Sequence, residues 1–250
     1  MECYKEFFKK FYPSVCQKIF SEELTRKEVD FIEKVMDLHS GAKILDLCSG
    51  HGRHAIELAK RGYSVVCQDF NRSVLKLAEE NAKKAGVSIV TVCSDMRKIP
   101  FDEEFDGIIN MWSSFGYFKN KKEDSRVLSQ VVKALNPFGK FFLDLDNRAW
   151  IFQHFQEIQH YDFGQLKISG TSCLKIKKSR IQTELCLREK DKKPKKIILV
   201  MRYYSFQEME TLLTSVGLQV EKVMGGFKIK NENYSDDSPR MIILSQKRIS

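Results

Sequence analysis

The stretch LDLCSGHGRHAIELAKRGYSVVCQDFN, residues 45–71, combines a strand, a glycine turn, a helix and a second strand that ends in an acid. The first strand contains Asp46, and the small residues of CSGHG, 48–52, let the backbone turn sharply and approach a ligand closely. A helix that starts after Gly52 would present its first amides to that ligand. The second strand ends at Asp69, where a doubly wound sheet places a carboxylate that accepts hydrogen bonds from a ribose. The stretch therefore predicts a site for a cofactor that contains a nucleoside.

The glycine spacing argues against a dinucleotide. A dinucleotide site uses the pattern GxGxxG, and the third glycine position counted from Gly50 and Gly52 is occupied by Ala55. The glycines alone are equally consistent with an ordinary tight connection between a strand and a helix. The acid inside the first strand, Asp46, and the glycine spacing together favour a different nucleoside cofactor.

With these features the segment resembles motif I and the following acidic motif of the class I S-adenosylmethionine-dependent methyltransferases. The resemblance implies S-adenosylmethionine as the cofactor, with Asp46 orienting its ammonium group and Asp69 holding the ribose hydroxyls. The glycine loop would wrap the methionine part of the cofactor. The loop residues that this implies are Cys48, Ser49, Gly50 and Gly52, with Cys48 standing where the broad motif has glycine.

Two later strand ends match further positions of that family. The resemblance implies that Asp95 accepts the exocyclic amine of adenine, that the Met96 amide meets a ring nitrogen, and that Phe70 or Met96 sandwiches the base. It places Asn110 beside the methionine end of the cofactor. Each acid has an ordinary alternative, since Asp95 is suited to cap a turn and Asp69 to cap a helix. Four matching strand ends in the family's order favour the cofactor interpretation.

The segment NMWSSFGYF, residues 110–118, follows the fourth strand, near the place where a methyl acceptor would arrive. Ser113 and Tyr117 are weak candidates for catalytic residues, and plain loop packing is the alternative for both. Arg53 and His54 stand at a helix start, suited to the carboxylate of the cofactor or to a substrate. Methyl transfer requires alignment and exclusion of water more than a strong base. The sequence NPPY, frequent in methyltransferases that act on nucleic-acid bases, is absent after this strand.

Composition limits the class of protein. The 250 residues suit one α/β core with an insertion. Seven cysteines without a CxxC pair argue against a disulfide framework, and five scattered histidines argue against a metal site. No apolar run is long enough to span a bilayer, and the first residues do not resemble a signal peptide. We therefore expect a cytoplasmic protein without a metal or a membrane partner.

The distribution of charge along the chain does not identify the methyl acceptor. The net charge is +9, and residues 160–250 hold 18 basic against 10 acidic side chains. Ten of the basic residues lie within 175–196, a pattern that suits either a solvated hairpin edge or attraction of an anionic partner. We expect a small-molecule methyl acceptor. The alternatives are an RNA methyltransferase that uses this basic region and a nucleotide-binding protein without turnover.

The order of apolar segments predicts an α/β fold, a Rossmann-like, doubly wound and mainly parallel sheet of seven strands with an inserted antiparallel β element. Short apolar runs such as 89–93 and 141–143 are typical of strands covered on both faces. After a helix at 150–157, separate antiparallel strands are expected at 166–169, 172–176, 181–187 and 197–203, and the capping pattern SFQE, 205–208, predicts the start of a helix. The last two strands would be the sixth and seventh of the family, with the seventh antiparallel. The expected domains are a helical arm at 1–40, a core at 41–150 and 204–250, and an inserted β lid at 151–203. The resemblance implies that Tyr4 or Tyr12 of the arm reaches the ligand, and plain core packing of the aromatic helix face is the alternative.

Overall fold

Strands alternate with helices along the first half of the chain, as the sequence pattern predicts. The computed structural model describes residues 3–228 and 233–248. The helices are α1 Cys3–Lys10, α2 Tyr12–Ile19, α3 Glu22–Met36, α4 Arg53–Lys60, α5 Arg72–Lys84, α6 Lys121–Ala134, α7 Arg148–Gln153 and α8 Phe206–Ser215. The strands are β1 Lys43–Leu47, β2 Ser64–Asp69, β3 Val90–Cys93, β4 Phe105–Asn110, β5 Leu135–Asp146, β6 Ile158–Asp162, β7 Leu166–Lys175, β8 Arg180–Glu189, β9 Lys195–Arg202, β10 Leu218–Met224 and β11 Arg240–Lys247.

Seven of these strands form the central sheet in the order β10-β11-β5-β4-β1-β2-β3. The pairs among β1 to β5 are parallel, and β11 runs antiparallel to both β5 and β10. Alternating side chains send Ile108 toward α6 and α8 on one face and Ile109 toward α3, α4 and α5 on the other. The predicted Rossmann-like fold is confirmed. Its strand order reverses between β1 and β4, which is where open α/β sheets bind ligands.

The prediction that residues 89–93 form a fully covered strand is wrong. The strand β3 is the edge of the central sheet, and Val90 is 58% exposed. An edge strand has a neighbour on one side only, and no helix follows β3 to cover its outer part before β4 begins. Apolar composition alone does not distinguish an edge strand from a buried one.

The inserted element differs from its prediction in two places. The separate strands expected at 166–169 and 172–176 are one strand, β7, because Gly170 continues the ladder opposite Leu185. The helix expected at 150–157 is the shorter α7, and the unpredicted strand β6 follows it. All five residues of β6 are exposed, so this strand lacks the alternation of apolar and polar residues that would have revealed it. Strands β6 to β9 form a separate antiparallel sheet.

The N-terminal arm contains three helices that pack on different partners. Pro13 lies in the first turn of α2, where its missing N–H has no cost. Phe11 and Val15 are buried against the inserted sheet, while Ile32 of α3 is buried against the central sheet. Ion pairs reinforce the first contact, since Lys195 of β9 pairs with Glu6 of α1. The division of the chain into domains stays a prediction. No helix within residues 3–228 and 233–248 is both long and apolar enough to cross a membrane.

The loop after β4 meets the inserted sheet at Gly116. Its backbone has a φ of 111°, and a Cβ at this position would lie 2.5 Å from the carbonyl oxygen of Arg202. The Arg202 amide donates a hydrogen bond of 2.8 Å to the Gly116 carbonyl, so the two backbones cannot separate without losing it. Gly116→Ala is expected to lower the free energy of unfolding by at least about 2 kcal/mol, measured by urea titration.

Gly86 offers a matched control for this substitution. Its φ of 71° is also positive, but no heavy atom lies within 4 Å of a Cβ built there. Gly86→Ala should lower the free energy of unfolding by only about 1 kcal/mol, which is the cost of a left-handed backbone for alanine. Equal destabilisation by the two substitutions would contradict the close approach at Gly116.

Candidate functional site

The glycine loop is tied directly to the acid at the end of β2. The Gly50 amide donates to one carboxylate oxygen of Asp69 at 3.1 Å, and the Asn71 amide donates to the other at 2.8 Å. Cys48 and Gly50 have φ angles of 64° and 56°, so Cys48 adopts the left-handed conformation that favours glycine. A Cβ on Gly52 would lie 2.8 Å from the Cβ of Ala78, so this glycine lets α4 approach α5. Helix α5 itself is capped by Asn71 rather than by Asp69.

A first cavity lies between this loop, the ends of β2 and β3, and helix α1. It encloses about 70 Å³ and is walled mainly by aromatic rings. Tyr12 packs over the loop, where its hydroxyl would lie 3.3 Å from a Cβ on Gly50. The lining residues include Tyr4, Phe8, Tyr12, Cys48, Gly50, Asp69, Phe70, Asn71, Asp95, Met96, Tyr117 and Phe118. Both arm tyrosines named from the sequence thus reach this cavity.

Asp95 caps a turn and also lines the first cavity. It accepts the Arg97 backbone amide at 3.0 Å and the Arg97 guanidinium at 2.8 Å. Lys5 of α1 donates to the same carboxylate at 3.1 Å. Burial raises the pKa of Asp95, but the hydrogen bonds from Arg97 and Lys5 outweigh burial and hold its pKa below the ordinary value. Asp95 is therefore an ionised acceptor at neutral pH.

Three buried oxygen atoms near the carboxyl ends of β1 and β4 have no hydrogen-bond partner among the described residues. They are Asp46 Oδ2, Ser49 Oγ and Asn110 Oδ1. Asp46 is 1% exposed, and burial raises its pKa to about 7, while the nearby Arg53 lowers it. Buried oxygens without partners are costly in a folded protein, so their presence together indicates a ligand that supplies donors.

A second, larger cavity adjoins the first. It encloses about 460 Å³ and shares Phe8, Tyr12, Cys48, Ser114 and Tyr117 with the first cavity. Its other walls come from the arm, the glycine loop, the loop after β4 and strand β6. These lining residues are Phe7, Ile19, Phe20, Asp46, Ser49, His51, Arg53, His54, Met111, Trp112, Ser113 and Tyr161.

The carboxylate of Glu28, fully buried in α3, holds two walls of the second cavity together. It accepts hydrogen bonds from Trp112 Nε1 at 2.8 Å and from His54 Nε2 at 2.9 Å, and it pairs with Arg53 at 2.5 Å. Burial lowers the pKa of His54 to about 4 despite this contact, so His54 is neutral. Sequence reasoning missed Glu28. The available signal was its spacing, since it lies on the same helix face as the apolar Phe31 and Ile32.

The loop after β4 is strained and firmly held. Trp112 and Ser113 have φ angles of 54° and 55°, a left-handed conformation that costs about 1–3 kcal/mol for each such residue. The buried carboxylate of Asp144 accepts the Trp112 amide at 2.8 Å, and the Asp144 carbonyl accepts the Ser113 amide at 3.0 Å. Arg240 donates a hydrogen bond of 2.8 Å to Asp144, and its positive charge compensates the negative charge of this carboxylate. Asp144 and Arg240 were also missed, because neither belongs to a recognisable motif.

The structure brings most of the predicted site residues to the two cavities. The first cavity is lined by Cys48, Gly50, Asp69, Phe70, Asp95 and Met96, and the second by Asp46, Cys48, Ser49, Ser113 and Tyr117. Gly52 and Asn110 line neither cavity; Gly52 serves packing, and the Asn110 side chain donates to the Leu47 carbonyl at 2.8 Å. The Ser113 hydroxyl accepts the Asp146 amide at 2.8 Å. The catalytic role suggested for Ser113 and Tyr117 stays a prediction.

No group of three or more histidine, cysteine or acidic side chains within the described ranges is arranged to hold a metal ion. The six cysteines whose side chains are described are free thiols. The polar groups that line the two cavities are carboxylates, amides, hydroxyls, imidazoles, the Cys48 thiol and one guanidinium.

Comparisons with known proteins agree with this geometry. A family model described as a methyltransferase domain matches residues 44–139. A glycine/sarcosine N-methyltransferase from Halorhodospira halochloris is 32% identical over 137 residues, which are 54% of this chain and 51% of the relative. Another, from Aphanothece halophytica, is 30% identical over 122 residues, which are 48% of this chain and 46% of the relative. The chain thus spans about half the length of these curated relatives.

A solved structure shares the fold over nearly the whole chain. An S-adenosylmethionine-dependent methyltransferase from Clostridium acetobutylicum ATCC 824 superposes with a TM-score of 0.79 at 18% identity, covering 99% of this chain and 100% of that one. At this identity the likeness concerns the fold. The matched domain, the sequence relatives and the shared fold agree with the motif at the end of β1. Residues 44–139 thus match a methyltransferase domain, and the chain has the Rossmann-like fold of S-adenosylmethionine-dependent methyltransferases.

Proposed function

We propose that this protein binds S-adenosylmethionine across the two adjoining cavities and transfers its methyl group to a small-molecule acceptor. The observation that carries the proposal is the convergence of three strand-end acids, Asp46, Asp69 and Asp95, with the glycine loop around two cavities that share five lining residues.

The first cavity suits the adenosine half. Asp69 is bound by two backbone amides and retains lone pairs for the two ribose hydroxyls. Asp95 is an ionised acceptor for the adenine amine, although Lys5 shares its carboxylate. Phe70 and Met96 line the same cavity and supply apolar surface for the purine. Because its volume is about 70 Å³, helix α1 with its aromatic residues must shift for a nucleoside to enter.

The inner part of the second cavity suits the amino-acid end. The unpartnered oxygens of Asp46 and Ser49, which line this cavity, are acceptors for an ammonium group. Arg53 also lines this cavity, and its Nη2 is buried without a hydrogen-bond partner. Asp46 and Arg53 thus present opposite charges to a group that carries both an ammonium and a carboxylate.

The chain's own residues contribute alignment and exclusion of water. When bound, S-adenosylmethionine supplies a methyl group on a positively charged sulfur; the acceptor's lone pair forms the new bond to carbon while the old bond's electron pair stays on sulfur. The partly buried Tyr117 and Phe8 line both cavities, where their rings exclude water and face the positive charge. The proton that an amine or hydroxyl acceptor loses passes to solvent, so no strong base is required.

The size of the second cavity favours a small acceptor. At about 460 Å³ it lies within the range of about 300–1,000 Å³ that small-molecule sites occupy. The named relatives act on glycine and sarcosine, and a structural neighbour from Micromonospora echinaspora with a TM-score of 0.65 is an amino pentose methyltransferase with S-adenosylmethionine bound. These substrates support an acceptor of similar size. We place the activity in the cytoplasm on the strength of the cysteine usage of the sequence.

The basic stretch 175–196 gives little support to RNA as the acceptor. Several of its lysines pair with acids of the same chain: Lys192 with Glu189 at 2.6 Å, and Lys196 with Glu184 at 2.7 Å. Such pairs along an antiparallel hairpin are typical of a solvated, protected sheet edge.

The proposal is tested with methyl-labelled S-adenosylmethionine and a cell extract separated into small molecules, RNA and protein. Label is expected in the small-molecule fraction, and the chain with Asp69→Ala should transfer none. Label in RNA would support the RNA alternative instead. Tight cofactor binding without transfer into any fraction would identify a binding protein without turnover.

A further inference from the structure

The inference concerns Trp112, and it rests on the proposed function. Trp112 and Ser113 are consecutive residues in the left-handed conformation, with φ angles of 54° and 55°. Asparagine, aspartate and glycine adopt this conformation more readily than a bulky aromatic residue does. A large side chain held in such a backbone indicates that its position, rather than local stability, accounts for its presence.

Contacts from three separate elements fix Trp112. Its backbone amide donates to Asp144 of β5 at 2.8 Å, and its indole Nε1 donates to Glu28 of α3 at 2.8 Å. Arg240 of β11 lies 5.5 Å from the indole centroid and also donates to Asp144. Both carboxylates are fully buried, so each contact lies in a water-poor environment where a hydrogen bond is strong.

The indole nevertheless remains open on the cavity side. Trp112 is 41% exposed and lines the second cavity. The Phe20 ring lies edge-on to it, with centroids 4.6 Å apart, and Tyr161 of β6 contributes a further ring that is 48% exposed. The outer part of the cavity is therefore formed by aromatic rings from the arm, the inserted sheet and the loop after β4.

Two of the described side chains bring formal charge to this cavity. Among the described lining residues, Asp46 and Arg53 carry a carboxylate and a guanidinium, and the proposed function assigns both to the amino-acid end of S-adenosylmethionine. The two lining histidines are neutral, because burial lowers the pKa of His51 and of His54 to about 4. Arg53 also lies against the aromatic part, with its guanidinium carbon 4.2 Å from the Phe20 centroid and 5.6 Å from the Trp112 centroid, but it pairs with the buried Glu28 and is assigned to the cofactor. No second cation among these described lining residues is left to bind an acidic group of the acceptor.

We infer that Trp112 is the specificity-determining contact for the methyl acceptor, and that the acceptor is a small ring compound that carries an amine or hydroxyl nucleophile and no acidic group. An aromatic or alicyclic ring replaces water on the exposed indole surface. An amino acid such as glycine would find no such partner for its carboxylate. This chain therefore differs in acceptor class from the glycine/sarcosine relatives.

The test uses the fact that the chain has two tryptophans, Trp112 and Trp150. In a Trp150→Phe background, Trp112 is the sole tryptophan and its fluorescence reports on the cavity. With S-adenosylhomocysteine present, phenethylamine, phenol and cyclohexylamine are titrated as ring probes and glycine as the contrast. At least one ring probe is expected to change the emission saturably, and glycine to leave it unchanged.

Two substitutions of Trp112 distinguish the loss of its contact with the ring probe from a general loss of folding. In calorimetric titrations with S-adenosylhomocysteine present, Trp112→Ala is expected to weaken binding of that ring probe by about 10-fold or more, and Trp112→Phe to restore most of it. Both variants remove the indole Nε1 donor to Glu28, which pairs with Arg53, so both should weaken binding of S-adenosylhomocysteine by a similar factor of about 3-fold. This control shows that the glycine loop remains intact.

Each contrary result has a distinct meaning. If S-adenosylhomocysteine binds but no ring probe changes the Trp112 emission, or if Trp112→Ala binds the probe as tightly as the unchanged chain, the inference is overturned. Saturable binding of glycine in place of the ring probes overturns it too. If S-adenosylhomocysteine itself does not bind, the proposed function fails, and the inference fails with it.

Discussion

Replacing Asp69 with alanine is expected to raise the Kd for S-adenosylmethionine by about 100-fold or more. The Asp69 carboxylate would accept two ribose hydroxyls, and hydrogen bonds to a charged group each contribute about 1.5–3 kcal/mol. Two such bonds account for about 3–6 kcal/mol, which exceeds the roughly 2.8 kcal/mol that corresponds to 100-fold. The substitution also removes the acceptor of the Gly50 and Asn71 amides, so the loop loses its anchor as well. Isothermal titration calorimetry measures the change.

The pH dependence of binding gives the same prediction a second readout. Burial raises the pKa of Asp69 to about 6, while the Asn71 and Gly50 amides lower it. Below about pH 6 the protonated acid loses acceptor capacity, so the affinity of the unchanged chain should fall with decreasing pH. The Asp69→Ala variant should lack this part of the pH dependence.

Asp102 provides the control for a lost acid. Its side chain is 69% exposed and it pairs loosely with Lys133 at 3.5 Å. Asp102→Ala should bind S-adenosylmethionine as the unchanged chain does. Unaltered affinity in a folded Asp69→Ala variant, verified by circular dichroism, would contradict the ribose assignment and with it the proposed placement of the cofactor.

Local sequence patterns predicted the functional strand ends because each pattern lies within a few consecutive residues. The run into Asp46, the glycines that follow and the apolar strand that ends at Asp69 are all contiguous, and the parallel sheet then brings their ends to one edge. The residues that complete the second cavity are coded differently. Glu28 reaches Trp112 across 84 positions and Arg240 reaches Asp144 across 96. No local pattern carries such pairings, because they arise only when the whole sheet has formed.

The same distinction explains the errors in the fold. Helix α8 was predicted at its start because Ser205 and Glu208 form a capping box, a purely local signal. Strand β6 was missed because its pairing with β7 depends on a distant segment while its own residues are all exposed. The exposure of β3 likewise follows from its place at the sheet edge, which the strand order decides and its composition does not.

Replacing Asp46 with asparagine is expected to stabilise the ligand-free protein while weakening its affinity for S-adenosylmethionine. Asp46 is buried at the end of β1 with Oδ2 unpartnered, and burial raises its pKa from the ordinary 3.8 to about 7. Between these two pH values the unfolded chain has an ionised Asp46, whereas the folded chain retains the proton. The folded state therefore binds more protons, and this group makes the free energy of unfolding decrease as pH rises from about 4 to about 7.

Asparagine removes this pH-dependent cost. The free energy of unfolding of Asp46→Asn minus that of the unchanged chain should increase by about 4 kcal/mol between about pH 4 and pH 8, since each pKa unit corresponds to about 1.4 kcal/mol. Urea titrations at a series of pH values without ligand measure it. Asp162→Asn is the control of opposite sign, because the Gly164 amide and Lys167 hold the pKa of exposed Asp162 below its ordinary value. Compared with Asp162→Asn, the unchanged chain should therefore become more stable as the pH rises.

The second half of this prediction is the loss of binding. An asparagine amide keeps an oxygen for the Ala55 amide but presents no negative charge to the ammonium group of the cofactor. Affinity should therefore fall by about 10-fold or more although the free protein is more stable. If the variant is stabilised and still binds S-adenosylmethionine tightly, Asp46 does not bind the cofactor. If stability and affinity change in opposite directions, the buried acid is retained for its ligand at the expense of the fold, as expected of a binding site.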